Sequence, residues 1–233
     1  MSAIIVVRRT LLLAIIAACF LTTFASAQMI DPSYYQSMKW RMIGPFRAGR
    51  TVGAVGIPSQ PNVFYIGVNN GGVWKTTDAG RTWKPIFDDQ PTGSIGDIVI
   101  APSNPNVIYV GSGEGLQRPD LSTGDGIYKS TDGGATWTHL ALREGQQIAS
   151  IAVDPEDENR LYVAVLGHPY GPNEERGIYR SKDGGKSFQR VLYKDENTGA
   201  MQVEIDPKNR NVIYADLWAG RQGPWENGAW QGK

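Results

Sequence analysis

An eight-residue string recurs three times along the chain, as TTDAGRTW at 76–83, STDGGATW at 130–137 and SKDGGKSF at 181–188. It sets Asp78, Asp132 and Asp183 at separations of 54 and 51 residues. A period near 50 restricts the chain to repeat architectures, where each supersecondary unit buries its apolar face only by stacking on its neighbours. A second marker fixes the phase: IPSQPNVFYIG (57–67), APSNPNVIYVG (101–111), DPEDENRLYVA (154–164) and DPKNRNVIYAD (206–216) each join a turn to a short strand-like run. From each box Asp to the next turn proline (Pro102, Pro155, Pro207) the count is 24, 23 and 24, whereas from Pro58, Pro102 and Pro155 to the following Asp it is 20, 30 and 28. The length variation therefore lies between the second strand of a unit and its box.

Short β-branched and aromatic runs bounded by Gly, Pro, Asn and Asp are strand signals. In the second unit they predict strands over 94–100, 107–111, 126–130 and 136–140, with turns at 102–106 and at the box. Four antiparallel strands per repeat describe a β-propeller blade. A solenoid, the rival, expects shorter and more uniform repeats. The expectation is an all-β propeller with blades at 51–87, 94–141 and 147–192 and a partial fourth at 200–233.

The box has a mechanical reading. Gly80, Gly134 and Gly185 supply the positive φ of a tight turn between third and fourth strands. Asp78, Asp132 and Asp183 accept turn N–H groups, with Thr76, Ser130 and Ser181 as hydroxyl partners. Trp83, Trp137 and Phe188 then open the fourth strand and bury a large ring. On this reading the repeated carboxylates are a folding device and not a catalytic row.

The segments WRMIGPFRAGR, GGVWKTTDAGRTW, GDGIYKSTDGG and GPNEERGIYRSKDGG carry a family likeness across about residues 38–233. They resemble the Asp-box, or bacterial neuraminidase, repeat of sialidases, xyloglucan-degrading glycoside hydrolases, photosystem II assembly factors and the sortilin ectodomain. The chain is most similar to large secreted bacterial proteins with sortilin-like or glycosyl-hydrolase-like repeats. The resemblance implies a propeller and leaves the activity open, because one fold hosts many functions.

Residues 1–27 read as a signal peptide: Arg8 and Arg9 precede an apolar run from Leu11 to Phe24, closed by Ala25-Ser26-Ala27. A membrane anchor and a lipoprotein at Cys19 are the alternatives; the run is short for the first, and Phe20-Leu21 argue against the second. Export to the periplasm or the exterior follows, with no membrane span after cleavage. Cys19 is the only cysteine, so the mature chain has neither a disulfide framework nor a thiolate metal site. A net charge of zero offers no general attraction to nucleic acid. Residues 28–38 are a lead-in, and Trp40 lies 18 residues before Pro58 as the box rings lie 18 or 19 before theirs. Residues 39–43 are thus expected to form an orphan fourth strand that closes a ring of blades within the propeller region 39–233. A fourth box would be due at 235–237, past Lys233, so the chain reads as an N-terminal fragment whose partners include further C-terminal blades.

In a four-stranded meander the loops between second and third strands lie opposite the boxes, and here they differ from repeat to repeat. Varying loops on a constant scaffold are the usual seat of function. The candidate ligand face comprises Arg47, Arg50, Glu114, Arg118, Asp120, His168, Tyr170, Glu174, Arg176 and Trp225. Rings among mixed charges suit a polysaccharide or a protein segment. Glycoside hydrolysis needs two carboxylates flanking the scissile bond. Glu114, Asp120, Asp125, Glu174, Glu175 and the inner-strand Asp97 are available, but no pair stands out and no catalytic residue is assigned. A sialidase would open its first blade with Arg-Ile-Pro, and this chain has Phe46-Arg47-Ala48. His139 and His168 form no metal-ligand pattern, and no cofactor motif is present. The leading expectation is a binding or scaffold propeller; a polysaccharide hydrolase is the alternative, with sialidase or assembly factor behind it.

Overall fold

The computed structural model describes residues 31–35, 38, 49–115, 121–222 and 229–231. The chain divides into two units, 1–46 and 47–233. In the first, the described part is a single 3-10 turn, Pro32–Tyr34, in which Ser33 N donates to Asp31 Oδ1 at 2.9 Å. The expected signal peptide and the closing strand at 39–43 lie outside the described residues.

The second unit is a series of antiparallel meanders. β1 (Arg50–Ile57), β2 (Gln60–Asn69), β3 (Gly72–Thr76) and β4 (Lys84–Pro85) form one four-stranded sheet in chain order. β5 (Ile95–Ile100), β6 (Ile108–Ser112), β7 (Ile127–Ser130) and β8 (Thr138–Ala141) form the next. β9 (Ile148–Val153), β10 (Leu161–Val165), β11 (Gly177–Ser181) and β12 (Gln189–Leu192) form the third. β13 (Gly199–Ile205) and β14 (Ile213–Trp218) make a two-stranded fourth sheet. The architecture is that of a partial propeller, as the repeat implied.

Two details differ from the sequence reading. The fourth strands begin one residue beyond Trp83, Trp137 and Phe188, so these rings precede the strand and do not open it. Beyond β14, where a loop was expected, β15 (Gly220–Gln222) pairs with β16 (Ala229–Gln231) as a separate hairpin.

In the second and third sheets the second strand lies inside the sheet and is covered on both faces by neighbouring sheets. This is why β6 and β10 are buried at every residue and read as unbroken apolar runs. Between the first two sheets, Ile57, Tyr65, Val73 and Phe87 meet Ile95, Ile98, Ile100, Ile108, Val110 and Tyr128. Between the second and third, Tyr109 and Ile127 meet Ile148, Ile151, Leu161 and Val163.

The fit is size-matched. A Cβ on Gly67 would lie 2.6 Å from Ile95 Cγ2, and one on Gly111 would lie 2.7 Å from Ile148 Cβ. At the corresponding place between sheets three and four, Ala164 and Ala200 share one buried cluster. Where the first two interfaces set a glycine against an isoleucine, this one sets an alanine with an alanine, so a smaller side-chain volume is divided between the two sheets.

The three repeated turns are superimposable in chemistry. Thr76, Ser130 and Ser181 each donate their hydroxyl to the box Asp Oδ1 at 2.8 Å and accept the N–H of Gly80, Gly134 and Gly185 at 2.8–2.9 Å. Asp78, Asp132 and Asp183 also take the hydroxyls of Thr82, Thr136 and Ser187 at 2.6 Å. Hydrogen bonds from these hydroxyls and from the amides of the same residues hold the three carboxyls down at about 2. The turns also link neighbouring sheets: Tyr65 and Lys75 both donate to Gly133 O, at 3.0 and 3.1 Å. Tyr109 donates to Glu158 O at 2.9 Å and Lys129 to Gly184 O at 3.2 Å.

Candidate functional site

The box turns meet the start of the second strand or the turn before it, through Ala79 N to Asn62 O, Gly133 N to Asn106 O and Gly184 N to Asn159 O, at 2.9–3.0 Å. The other end of the sheets gathers the loops between second and third strands and the connections from sheet to sheet. The β2–β3 link there is a tight turn with Asn70 at φ 59°. The β6–β7 and β10–β11 loops are long, and both fold inward.

Glu114, on the β6–β7 loop, is fully buried, and its carboxylate pairs with the guanidinium of Arg50 at the start of β1. Asn69 Nδ2, at the end of β2, donates to Glu114 Oε2 at 2.6 Å. Glu114 N reaches Ser94 Oγ at 3.3 Å, and Gln147 Nε2 donates to Glu114 O. Gly113 N to Ser94 O at 2.8 Å and Gly124 N to Gln146 O at 2.7 Å fasten both limbs of the loop. Residues preceding or within β1, β2, β5 and β9 thus converge on one residue, two on its carboxylate and two on its backbone. A buried ion pair is tolerated only when further hydrogen bonds satisfy the remaining lone pairs, as they do here.

Asp125, at the far limb, accepts the Tyr128 hydroxyl on Oδ2 at 2.7 Å and faces Arg143 at 3.4 Å. Burial and this carboxylate push the Tyr128 phenol well above its usual range. Asp125 O takes the His139 Nε2 hydrogen at 2.7 Å.

The β10–β11 loop wraps Arg176. Its guanidinium is fully buried and donates to Leu166 O, to His168 O at 2.7 Å and to Gly171 O at 3.0 Å. His168 Nε2 lies 3.6 Å from Glu144 Oε2 on the β8–β9 connection, while Tyr170 is 52% exposed. Glu174 is exposed and its backbone carbonyl receives Arg190.

Glu114 and Arg176 therefore depart from the exposed ligand surface expected of them: both are interior charges that fasten loops. Arg50 and Tyr170 reach solvent at this end, with His168 half-buried and Glu174 on the rim. Arg47, Arg118, Asp120 and Trp225 lie outside the described residues. Asp97, weighed as an inner-strand acid, accepts Ile98 N and, on the next sheet, Ile151 N, each at 2.8 Å. Burial raises its carboxyl above the ordinary value against those two amides. It is a staple between sheets, as Ser150 is to Val203 N at 3.4 Å. Asn69, Ser94 and Gln147 were missed because a lone amide or hydroxyl at a strand end carries no sequence signal. Among the described residues no group of three His, Cys, Asp or Glu could hold a metal ion, and no helix is long and apolar enough to cross a membrane.

No protein-family model matches the chain. It is 29% identical over 213 residues to a probable oligoxyloglucan-reducing end-specific xyloglucanase of Neosartorya fischeri, covering 82% of this chain and 24% of that protein. It is 26% identical over 182 residues to a xyloglucanase of Hypocrea jecorina, covering 72% and 20%. The chain thus spans about a quarter or less of the length of these curated relatives. Among solved structures, an ancestral GH74 enzyme aligns with a TM-score of 0.55 at 24% identity, over 77% of this chain and 23% of that one. An auxiliary nutrient binding protein from Bacteroides thetaiotaomicron gives 0.51 at 12%, over 73% and 36%. These likenesses speak to the fold.

Proposed function

We propose that the protein is an exported Asp-box propeller that binds a polysaccharide at the loop end of its sheets. The observation that carries this reading is the convergence of four strand ends on Glu114. Four elements spend buried polar groups to pin one loop, which leaves Arg50 half-buried, while Tyr170 on the β10–β11 loop is exposed at the same end. Rigid placement of a few polar groups is what a sugar site requires. The names of the curated relatives, all xyloglucanases, support a plant-type glucan as the ligand. Ala25-Ser26-Ala27 after the apolar run supports export.

Hydrolysis is the second reading, favoured by the same relatives. Against it, Glu114 and Asp97 are both committed to structural partners, and a glycosidase needs one carboxyl to give a proton and another free to act on the opposite face. The test uses the full chain with xyloglucan oligosaccharides, read by calorimetry and by a reducing-end assay. Binding without new reducing ends is expected, weakened by Tyr170→Ala. Turnover would overturn the binding-only reading, and the absence of binding to any glycan would overturn the proposal.

A further inference from the structure

We infer that Glu114 sets the charge specificity of this loop end, so that neutral, hydroxyl-rich ligands are taken in preference to anionic ones. The inference rests on the glycan-binding reading above and names the class of glycan. An arginine open to solvent at a ligand face ordinarily selects carboxylate, sulfate or phosphate, because its planar fork forms strong charge-assisted bonds to them. Arg50 is not open in that sense. Its guanidinium is already paired with a carboxylate that has no exposed surface, while its own side chain is 36% exposed.

Glu114 cannot turn aside to release it. One carboxylate oxygen is held by Arg50 and the other by Asn69 at 2.6 Å. The backbone on both sides is fixed as well, through Ser94 and Gln147. An incoming anion would have to share the guanidinium with a fixed carboxylate in a poorly solvated place, where like charges repel strongly. A neutral hydroxyl meets no such opposition.

Glu114 is therefore a specificity-determining residue that acts through Arg50.

The experiment compares a neutral xyloglucan oligosaccharide with an oligogalacturonate of similar length on the full chain, by calorimetry at low and high salt. The wild-type protein is expected to prefer the neutral ligand by at least about tenfold, with little salt dependence, since tenfold corresponds to the loss of one good polar interaction. Glu114→Gln, nearly isosteric, is expected to raise oligogalacturonate affinity by about tenfold and to make it salt-sensitive, because Arg50 is then an uncompensated cation. The pair variant Arg50→Gln with Glu114→Gln removes both charges. It is expected to keep a preference for the neutral ligand, and it remains readable if Glu114→Gln alone fails to fold. A wild-type preference for oligogalacturonate, an unchanged ratio in a folded Glu114→Gln, or a pair variant that gains anion binding would each overturn the inference while leaving glycan binding intact. Failure to bind either sugar would instead overturn the reading on which it rests, and this inference with it.

Discussion

The glycine-against-isoleucine match between sheets yields a sharp prediction through Gly111 and Ile148. Ile148 is fully buried in the cluster between sheets two and three. Truncating it to Ala removes three carbons from a close-packed site, which costs about 2–5 kcal/mol. Gly111→Ala places its new Cβ 2.7 Å from Ile148 Cβ, closer than real atoms approach, so sheets must part or the isoleucine must leave its rotamer, at about 1–3 kcal/mol. Gly111 is not among the residues with positive φ, so the backbone itself accepts alanine. In the double variant the added methyl occupies part of the space that Ile148 vacates. The next interface already contains that solution in Ala164 and Ala200, both fully buried.

The two changes should therefore couple, with the double variant about 1–3 kcal/mol more stable than the sum of the singles predicts. Urea denaturation of the four proteins measures this cycle. Thermal melting checks it, at about 2–4 °C per kcal/mol for a domain of this size. Additivity to within about 0.5 kcal/mol would refute the claim that these positions trade volume across the interface.

The other predictions concern the turns and the staple. Asp78, Asp132 and Asp183 have folded-state pKa values lowered from 3.8 to about 2, so the stability they contribute is complete above pH 3.8 and is lost as pH falls toward 2. Asp97 runs the other way: its folded pKa is raised, so protonation favours the folded state and its contribution is lost as pH rises from 3.8. Denaturation midpoints measured from pH 5 to 2 should fall overall, because Asp31, Asp195 and Asp206 are lowered as well and together with the three box carboxyls outweigh Asp97, and Asp132→Asn should flatten that slope. Ala79 sits at φ 59°, where the other two turns have Gly133 and Gly184 at 69° and 72°. Ala79→Gly should relieve a strain of about 1–2 kcal/mol against an entropy cost of about 0.4–1 kcal/mol, and so raise the melting temperature by a few degrees. Asp97→Ala should cost about 1–3 kcal/mol by leaving the buried Ile151 amide unpaired, with binding at the loop end unchanged by calorimetry.

The repeat was legible in the sequence because its causes are local. A box turn needs Asp, a hydroxyl two residues earlier and glycine two residues later, so it writes a fixed string wherever it occurs. Strand positions were legible for the same reason, since their apolar runs are bounded by turn residues. The cross-sheet bonds were not legible, because Tyr65 and Lys75 act on Gly133, and Gln147 on Glu114, across 33 to 68 residues. Glu114 and Arg176 misled for a physical reason: a charge in a polar loop is solvated on average, and only the local backbone says otherwise. A signal did exist. Glu114 sits among Gly111, Gly113 and Gly115, and Arg176 is followed by Gly177, and glycines crowded around a charge mark places where other backbone approaches too closely for a side chain.

The same contrast explains how the two ends of the sheets divide their work. At the box end each turn satisfies its own Asp from within eight residues, and its links to a neighbour are a few bonds between side chains and carbonyls, such as Tyr65 to Gly133 O and Trp137 to Ile86 O. Such a turn can be copied without redesign, and it is copied. At the loop end each loop is held in its own way and must be solved separately: Glu114 takes Arg50 and Asn69 from the first sheet, while Arg176 takes three carbonyls from its own loop. A non-repeating solution costs buried charge, yet it fixes side chains that the repeat itself does not supply. Arg50 is the consequence. Its direction is imposed by a residue 64 positions away, so a substitution at Glu114 should alter what the loop end recognises without touching any of the three boxes.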